Sequence, residues 1–199
     1  VGATVPESWA NEKRPMDFFD VKGHLETMFE MGGTVDPFHF TPGHHPALHP
    51  GQTATISKGS DEVGLIGALH PSLQQELGIN GSAYLFEFQL SAILEGQLPQ
   101  YQELSKFPEM RRDIAIVVDE TTTSSDIVAK VQKEGGDSLK SVNIFDIYQG
   151  NGIDAGKKSL ALALTFQHPS RTLKDSEVSE TVDGVVSSLR QEFKAILRD

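Results

Sequence analysis

The sequence predicts an α+β protein in two parts: a mainly antiparallel-sheet lobe over residues 1–103, then a ferredoxin-like strand-helix-strand-strand-helix-strand domain over residues 104–199. Three observations predict it. Residues 141–168, SVNIFDIYQGNGIDAGKKSLALALTFQH, read as two strands joined by a loop rich in glycine, asparagine and aspartate, which is the chemistry of a hairpin. A strand and a helix precede that hairpin, and a helix and a short strand follow it. Finally, the charge balance changes near residue 104: the first 104 residues hold 4 Lys and Arg against 13 Asp and Glu, whereas the remainder holds 13 against 15.

In chain order, residues 1–16 carry two prolines and the only tryptophan without periodicity, and read as an irregular lead-in to a chain entered partway along. Asp20 is the expected cap of a helix in which Val21, Leu25, Met28 and Phe29 form one stripe, ended by Gly32 and Gly33. Val35 to Thr41 reads as a strand, and Pro42 to Gln52 as a turn-rich loop. Thr53 to Ser57 and Val63 to Leu69 alternate as the two strands of a hairpin turned at KGSDE. Pro71 opens a short helix ending near Gly78, and Ala83 to Leu90 is a strand with Tyr84, Phe86 and Phe88 alternating along it.

Residues 91–105 are expected to be a short helix and a connector. Beyond them, Asp113 to Asp119 is a strand with Ile114, Ile116 and Val118 on one face. A helix from about Ser124 carries Ile127, Val128 and Val131 on one side and stops at Gly135 and Gly136. After the hairpin, Thr172 and Asp175 have the spacing of a capping box. The stripe Val178, Val182, Val185, Val186, Leu189 and Phe193 marks the last helix, with a closing strand at Ala195 to Arg198.

Within the hairpin, Leu160, Leu162, Leu164 and Phe166 fall on one face, while Ser159, Ala161, Ala163, Thr165 and Gln167 fall on the other. Placing Phe145 and Ile147 on the apolar face leaves Asp146 and Tyr148 beside the small residues. Two helices cover one face of a four-stranded sheet, so the expected open face offers an aromatic ring beside a flat row. Single-stranded RNA is read on such surfaces by stacking an unpaired base on a ring while polar groups meet its edge.

Composition narrows the function classes. The chain of 199 residues is long enough for two cores, holds no cysteine for disulfide or thiolate metal chemistry, and contains no apolar run of the roughly 20 residues needed to cross a bilayer. The cytoplasm is the expected compartment, and no membrane partner is expected. The net charge of −11 opposes a polyanionic partner only in total, because the first part carries net −9 and the second net −2. The cluster His39, His44, His45 and His49 lacks the spacing and the additional acidic ligands of a metal set, so no metal site is expected.

The motifs SKFPEMRRDIAIVVDE (105–120), NIFDIYQGNGIDAGKKSLALALTFQH (143–168) and SRTLKDSEV (170–178) closely resemble the C-terminal anticodon-binding domain of the beta subunit of bacterial phenylalanyl-tRNA synthetases. Upstream, MDFFDVKGHLETMF (16–29), HPALHPGQTATI (45–56) and IGALHP (66–71) resemble the class II synthetase-like lobe of that subunit. The resemblance implies a fragment of an alpha2-beta2 enzyme that joins phenylalanine to tRNA(Phe) using ATP and magnesium. Its active site would lie on the alpha subunit, and the beta lobe would be catalytically idle and pack against alpha. It agrees that GLIGAL, residues 64–69, has glycines without the arginine that grips ATP. No cofactor is therefore expected in this fragment.

The resemblance also implies that Tyr148 stacks on the first anticodon base, with Asp146 and Ser159 as polar neighbours beside Ala161. Lys157, Lys158 and Arg171 are the candidate phosphate contacts by charge and loop position. The rival expectation is a regulatory amino-acid-binding module, since ferredoxin-like domains also pair to hold amino acids. A metal-dependent enzyme is a third and weaker one.

Overall fold

The computed structural model describes residues 2–11, 13–33, 37–94, 96, 101 and 103–198. It divides into two units, Val1–Tyr101 and Gln102–Asp199, each with its own apolar cluster. Part of the expected short helix and connector, residues 95, 97–100 and 102, and the expected strand start at 35–36 lie outside the described residues.

The first unit opens with a lead-in closed by one antiparallel bridge between Ala3 and Pro15. Helix α1 (Phe18–Met31) follows. Its cap is Asp17 rather than Asp20: Asp17 Oδ1 accepts from the Asp20 amide at 3.0 Å, while Asp20 Oδ2 accepts from the Asp17 amide at 2.8 Å. Arg14 adds a fork onto Asp20 at 2.6 and 2.7 Å, and this pair above all holds the Asp20 carboxyl down at about 2. Strands β1 (Phe38–Pro42), β2 (Leu48–Lys58), β3 (Asp61–Leu69) and β4 (Tyr84–Phe88) form an antiparallel sheet in that order. Strand β2 begins earlier than the expected Thr53, because Leu48 already pairs with Leu69 before the ladder breaks and resumes at Thr53.

Short helices α2 (Pro71–Glu76) and α3 (Ser91–Leu94) complete the unit. Val21, Leu25 and Phe29 of α1 pack with Ile56, Val63 and Ile66 of the sheet. The Phe29 ring lies 3.9 Å from that of Phe38, while Met28, expected in the stripe, is 41% exposed.

In the second unit, β5 (Met110–Asp119), α4 (Ser124–Gly135), β6 (Leu139–Tyr148), β7 (Lys157–Phe166), α5 (Asp175–Phe193) and β8 (Ile196–Arg198) give a sheet ordered β6-β7-β5-β8, antiparallel throughout. This is the predicted ferredoxin-like arrangement. Ile114, Ile116 and Val118 of β5 and Leu160, Leu162, Leu164 and Phe166 of β7 meet Ile127 and Val131 of α4 and Val178, Val185 and Leu189 of α5 in one core. Ser105 Oγ donates to the His168 carbonyl at 3.0 Å and Gln167 Nε2 to the Phe107 carbonyl at 2.9 Å, which pins the entering segment across the end of β7.

Helix α5 is not capped by Thr172 as the spacing suggested. Glu177 instead reaches back to accept from the Lys174 amide at 2.9 Å, and Lys194 ends the helix with φ of 52°. One irregularity in β6 matters for function. Ile144 faces Leu162 and Asp146 faces Ala161, so Phe145 is an extra residue with no partner on β7.

Candidate nucleic-acid interface

In a sheet, residues opposite one another on neighbouring strands share a face. Tyr148 and Val117 both stand opposite Ser159, Asp146 and Ala115 both stand opposite Ala161, and Asn143 and Asp113 both stand opposite Ala163. All of these side chains lie on the face turned away from α4 and α5, as expected for Tyr148, Asp146, Ser159 and Ala161. The β8 pairing adds Ile196 beside Val117 and Arg198 beside Ala115 to the same face.

Phe145 corrects the expectation that it belongs to the core. The extra residue turns it out of the apolar row: it is 51% exposed, and the Arg111 guanidinium lies 5.6 Å from its ring centre. Ile147 keeps the core-side position opposite Leu160, yet it is 57% exposed.

Tyr148 is 39% exposed. Its hydroxyl donates to the Asn151 carbonyl at 3.2 Å, and Gly150 lets the ring settle against the loop, since a Cβ there would lie 3.0 Å from the hydroxyl oxygen. The small residues beneath are less open than a bare platform: Ser159 and Ala163 each keep only 5% of their surface, and Ala161 is half-buried. Much of the relief on this face comes from two arginines. Arg198 sends its guanidinium from β8 across β5 and β7 to within 5.7 Å of the Tyr148 ring centre, and Arg111 reaches from β5 to Phe145. Arg111 is aimed by Asp113, whose carboxylate takes its Nε at 2.7 Å and an Nη at 3.2 Å and raises the guanidinium pKa further.

The candidate phosphate contacts do not gather beside Tyr148. Lys157 and Lys158 alternate to opposite faces of β7. Lys157 pairs with Asp154 at 2.8 Å and lowers that carboxyl, while Lys158, on the helix side, donates to the Glu120 carbonyl at 3.0 Å. Arg171 is tied to Glu177 in the first turn of α5 at 2.7 Å. With the Lys174 amide behind it, this contact holds the Glu177 carboxyl at about 2. The cations that reach the exposed rings on the open face are Arg111 and Arg198, while Lys157 stands at the end of that face. Arg111 was within reach of the period-two alternation of β5, whereas Arg198 required the closing strand to be laid beside it.

In the first unit, His45 and His49 each accept a local backbone hydrogen bond, from Ala47 at 3.2 Å and Gly51 at 3.0 Å. Among the described residues no three His, Asp or Glu side chains converge as a metal set, and no helix is long and apolar enough to cross a membrane. The glycines of GLIGAL serve packing. A Cβ at Gly64 would collide with the Glu87 carbonyl, and one at Gly67 would lie 2.8 Å from that of Gln52.

The fold and the face together define a ferredoxin-like sheet module whose helix-free face carries exposed rings with guanidinium groups beside them. Residues 105–198 match the family described as the ferredoxin-fold anticodon binding domain, and residues 1–90 match the phenylalanyl tRNA synthetase beta chain CLM domain. The chain belongs to the family of phenylalanyl-tRNA synthetase beta chains. It is 47% identical over 197 residues to the phenylalanine–tRNA ligase beta subunit of Pseudomonas fluorescens Pf-5, covering 99% of this chain and 25% of that protein. It is 48% identical over 193 residues to that of Shewanella oneidensis, 97% of this chain and 24% of the relative. With the Hahella chejuensis subunit the identity is 44% over 198 residues, 100% and 25%. The chain thus spans about a quarter of the length of the curated relatives it matches.

Proposed function

We propose that the second unit binds the anticodon loop of tRNA(Phe) as the C-terminal part of a phenylalanine–tRNA ligase beta subunit, with Tyr148 stacking on an unpaired base. The observation that carries this reading is the exposed ring of Tyr148 on the helix-free sheet face, with Asp146 two residues away along the strand on the same face. A carboxylate accepts from the donors on a guanine edge and repels phosphate, so Asp146 favours a base edge over the backbone at that point. Ser159, beneath the ring, reaches a ligand when Tyr148 moves aside. Ala161 leaves the space beside Asp146 low. In this reading Lys157, at the end of the same face, meets phosphate only by leaving Asp154. Lys158 and Arg171 meet the RNA only if it also wraps the helix side.

The first unit serves in this reading as part of an idle synthetase-like lobe that helps seat the alpha subunit. ATP, magnesium and the joining of phenylalanine to tRNA(Phe) belong to the whole enzyme, with the catalytic site on alpha and no step assigned to this chain.

The test is a titration of the chain with tRNA(Phe) at low and high salt. Binding is expected to weaken as salt rises and to drop about 5- to 150-fold in Tyr148→Ala, the range for losing one stacked base. Indifference to RNA, with specific uptake of a free amino acid instead, would replace this reading with a regulatory module.

A further inference from the structure

We propose that Phe145 and Arg111 form a second base-stacking position on the same sheet face, so that the face takes two successive unpaired nucleotides rather than one. The inference rests on the RNA-binding reading above and extends it to residues that neither sequence pattern nor resemblance had assigned.

The argument begins with a repeated arrangement. On β6, two aromatic rings stand exposed on the helix-free face, Phe145 at 51% and Tyr148 at 39%. Each faces a guanidinium sent across the small residues of β7, from Arg111 at 5.6 Å and from Arg198 at 5.7 Å. An exposed phenyl ring on a strand is costly to leave in water, and here it is presented by an extra residue that breaks the strand's alternation. The Arg111 plane is fixed by the two-point fork of Asp113, so the charge comes as an oriented slab rather than a mobile point. Bases stack on aromatic rings and on guanidinium planes alike, and a phosphate beside them is neutralised by the same cation.

Spacing favours two separate stations. Phe145 and Tyr148 are three residues apart along a strand with one bulged position, about 7–10 Å. Stacked neighbours in a nucleic acid strand lie only ~3.4 Å apart. Each ring therefore takes its own splayed base, the state in which single-stranded loops are read. Asp113 is occupied by Arg111, which leaves Asp146, between the two rings, as the carboxylate able to meet a base edge.

The experiment uses the full chain and an RNA stem-loop carrying the tRNA(Phe) anticodon, with 2-aminopurine placed at one unpaired loop position at a time. Quenching by stacking is expected at two adjacent positions. Tyr148→Ala removes it at one; Phe145→Ala removes it at the other and weakens binding about 5- to 150-fold. Phe145→Tyr retains both signals. Arg111→Lys keeps the charge but not the plane, and is expected to weaken binding as well. Both side chains are exposed, so thermal melting should be unchanged in these variants. Full quenching and affinity in Phe145→Ala, or native binding by Arg111→Lys, overturns the second position. If Phe145→Ala is silent while Tyr148→Ala is not, the single-ring reading survives alone. If both are silent, the anticodon reading falls with it.

Discussion

Tyr148 is tethered at its hydroxyl and open on its face, which makes ring and tether separable. Tyr148→Phe gives up the 3.2 Å bond to the Asn151 carbonyl but keeps the stacking surface, so most of the RNA affinity is expected to survive in it. Arg198 supplies charge to the same spot. Arg198→Gln should lower the slope of log affinity against log salt by about 0.7, as measured by titrations across a salt series. Some of this site was legible in the letters: the alternation of β7 and the polar pair Asp146 and Tyr148 placed one face correctly. Phe145 was not, because nothing in the run NIFDIY marks which residue lacks a cross-strand partner. Arg198 was hidden for another reason, since its reach depends on three strand pairings being in place at once.

At the level of elements, periodicity revealed the helices and strands but not their caps. The α1 cap, Asp17, lies three residues before the expected Asp20, and the α5 cap position, Lys174 with Glu177 reaching back to it, lies two residues after the expected Thr172, because several polar residues at each start satisfy the same spacing rule. The α5 cap has a pH signature. Glu177 titrates at about 2 in the folded chain, below its ordinary value of 4.5, so its contribution is complete above that ordinary value. As pH falls from about 4.5 towards 2, the contribution is lost. Amide exchange in the first turn of α5 should speed up across that window, and Glu177→Gln should abolish the pH dependence. In the core, Leu162 is fully buried between the sheet and both helices, and Leu162→Ala is expected to cost about 2–5 kcal/mol, read by denaturant unfolding.

On the scale of the whole molecule, the two units have separate cores, and their charges differ as the sequence indicated: net −9 before residue 105 and −2 after it. Calorimetry should resolve two unfolding events, with Leu162→Ala lowering only one of them. The acidic unit is a poor surface for RNA, so binding should map to the second unit by protection footprinting. Pyrophosphate exchange with phenylalanine and ATP is expected to be absent from this chain alone; its appearance would place catalytic chemistry where no described group supports it. The order of elements was readable because each half obeys simple periodicity. The four-residue interruption in β2 was not, since Leu48 pairs across a gap that local composition marks only as loop.

The unpaired residue in β6 has a consequence for how this protein tolerates change. Val142, Ile144, Asp146 and Tyr148 all carry even numbers, and an uninterrupted strand would line them up together. From Val142 to Tyr148 the strand is written in two phases, with Phe145 as the point where one gives way to the other. Giving Phe145 a partner, by adding one residue to β7 opposite it, would send the phenol and the carboxylate beneath the helices, or else expel the valine and isoleucine into water. A single insertion that looks conservative on paper would thus turn the sheet inside out along one edge, whereas deleting Phe145 would leave Ile144 and Asp146 on their present faces and remove only the ring it displays.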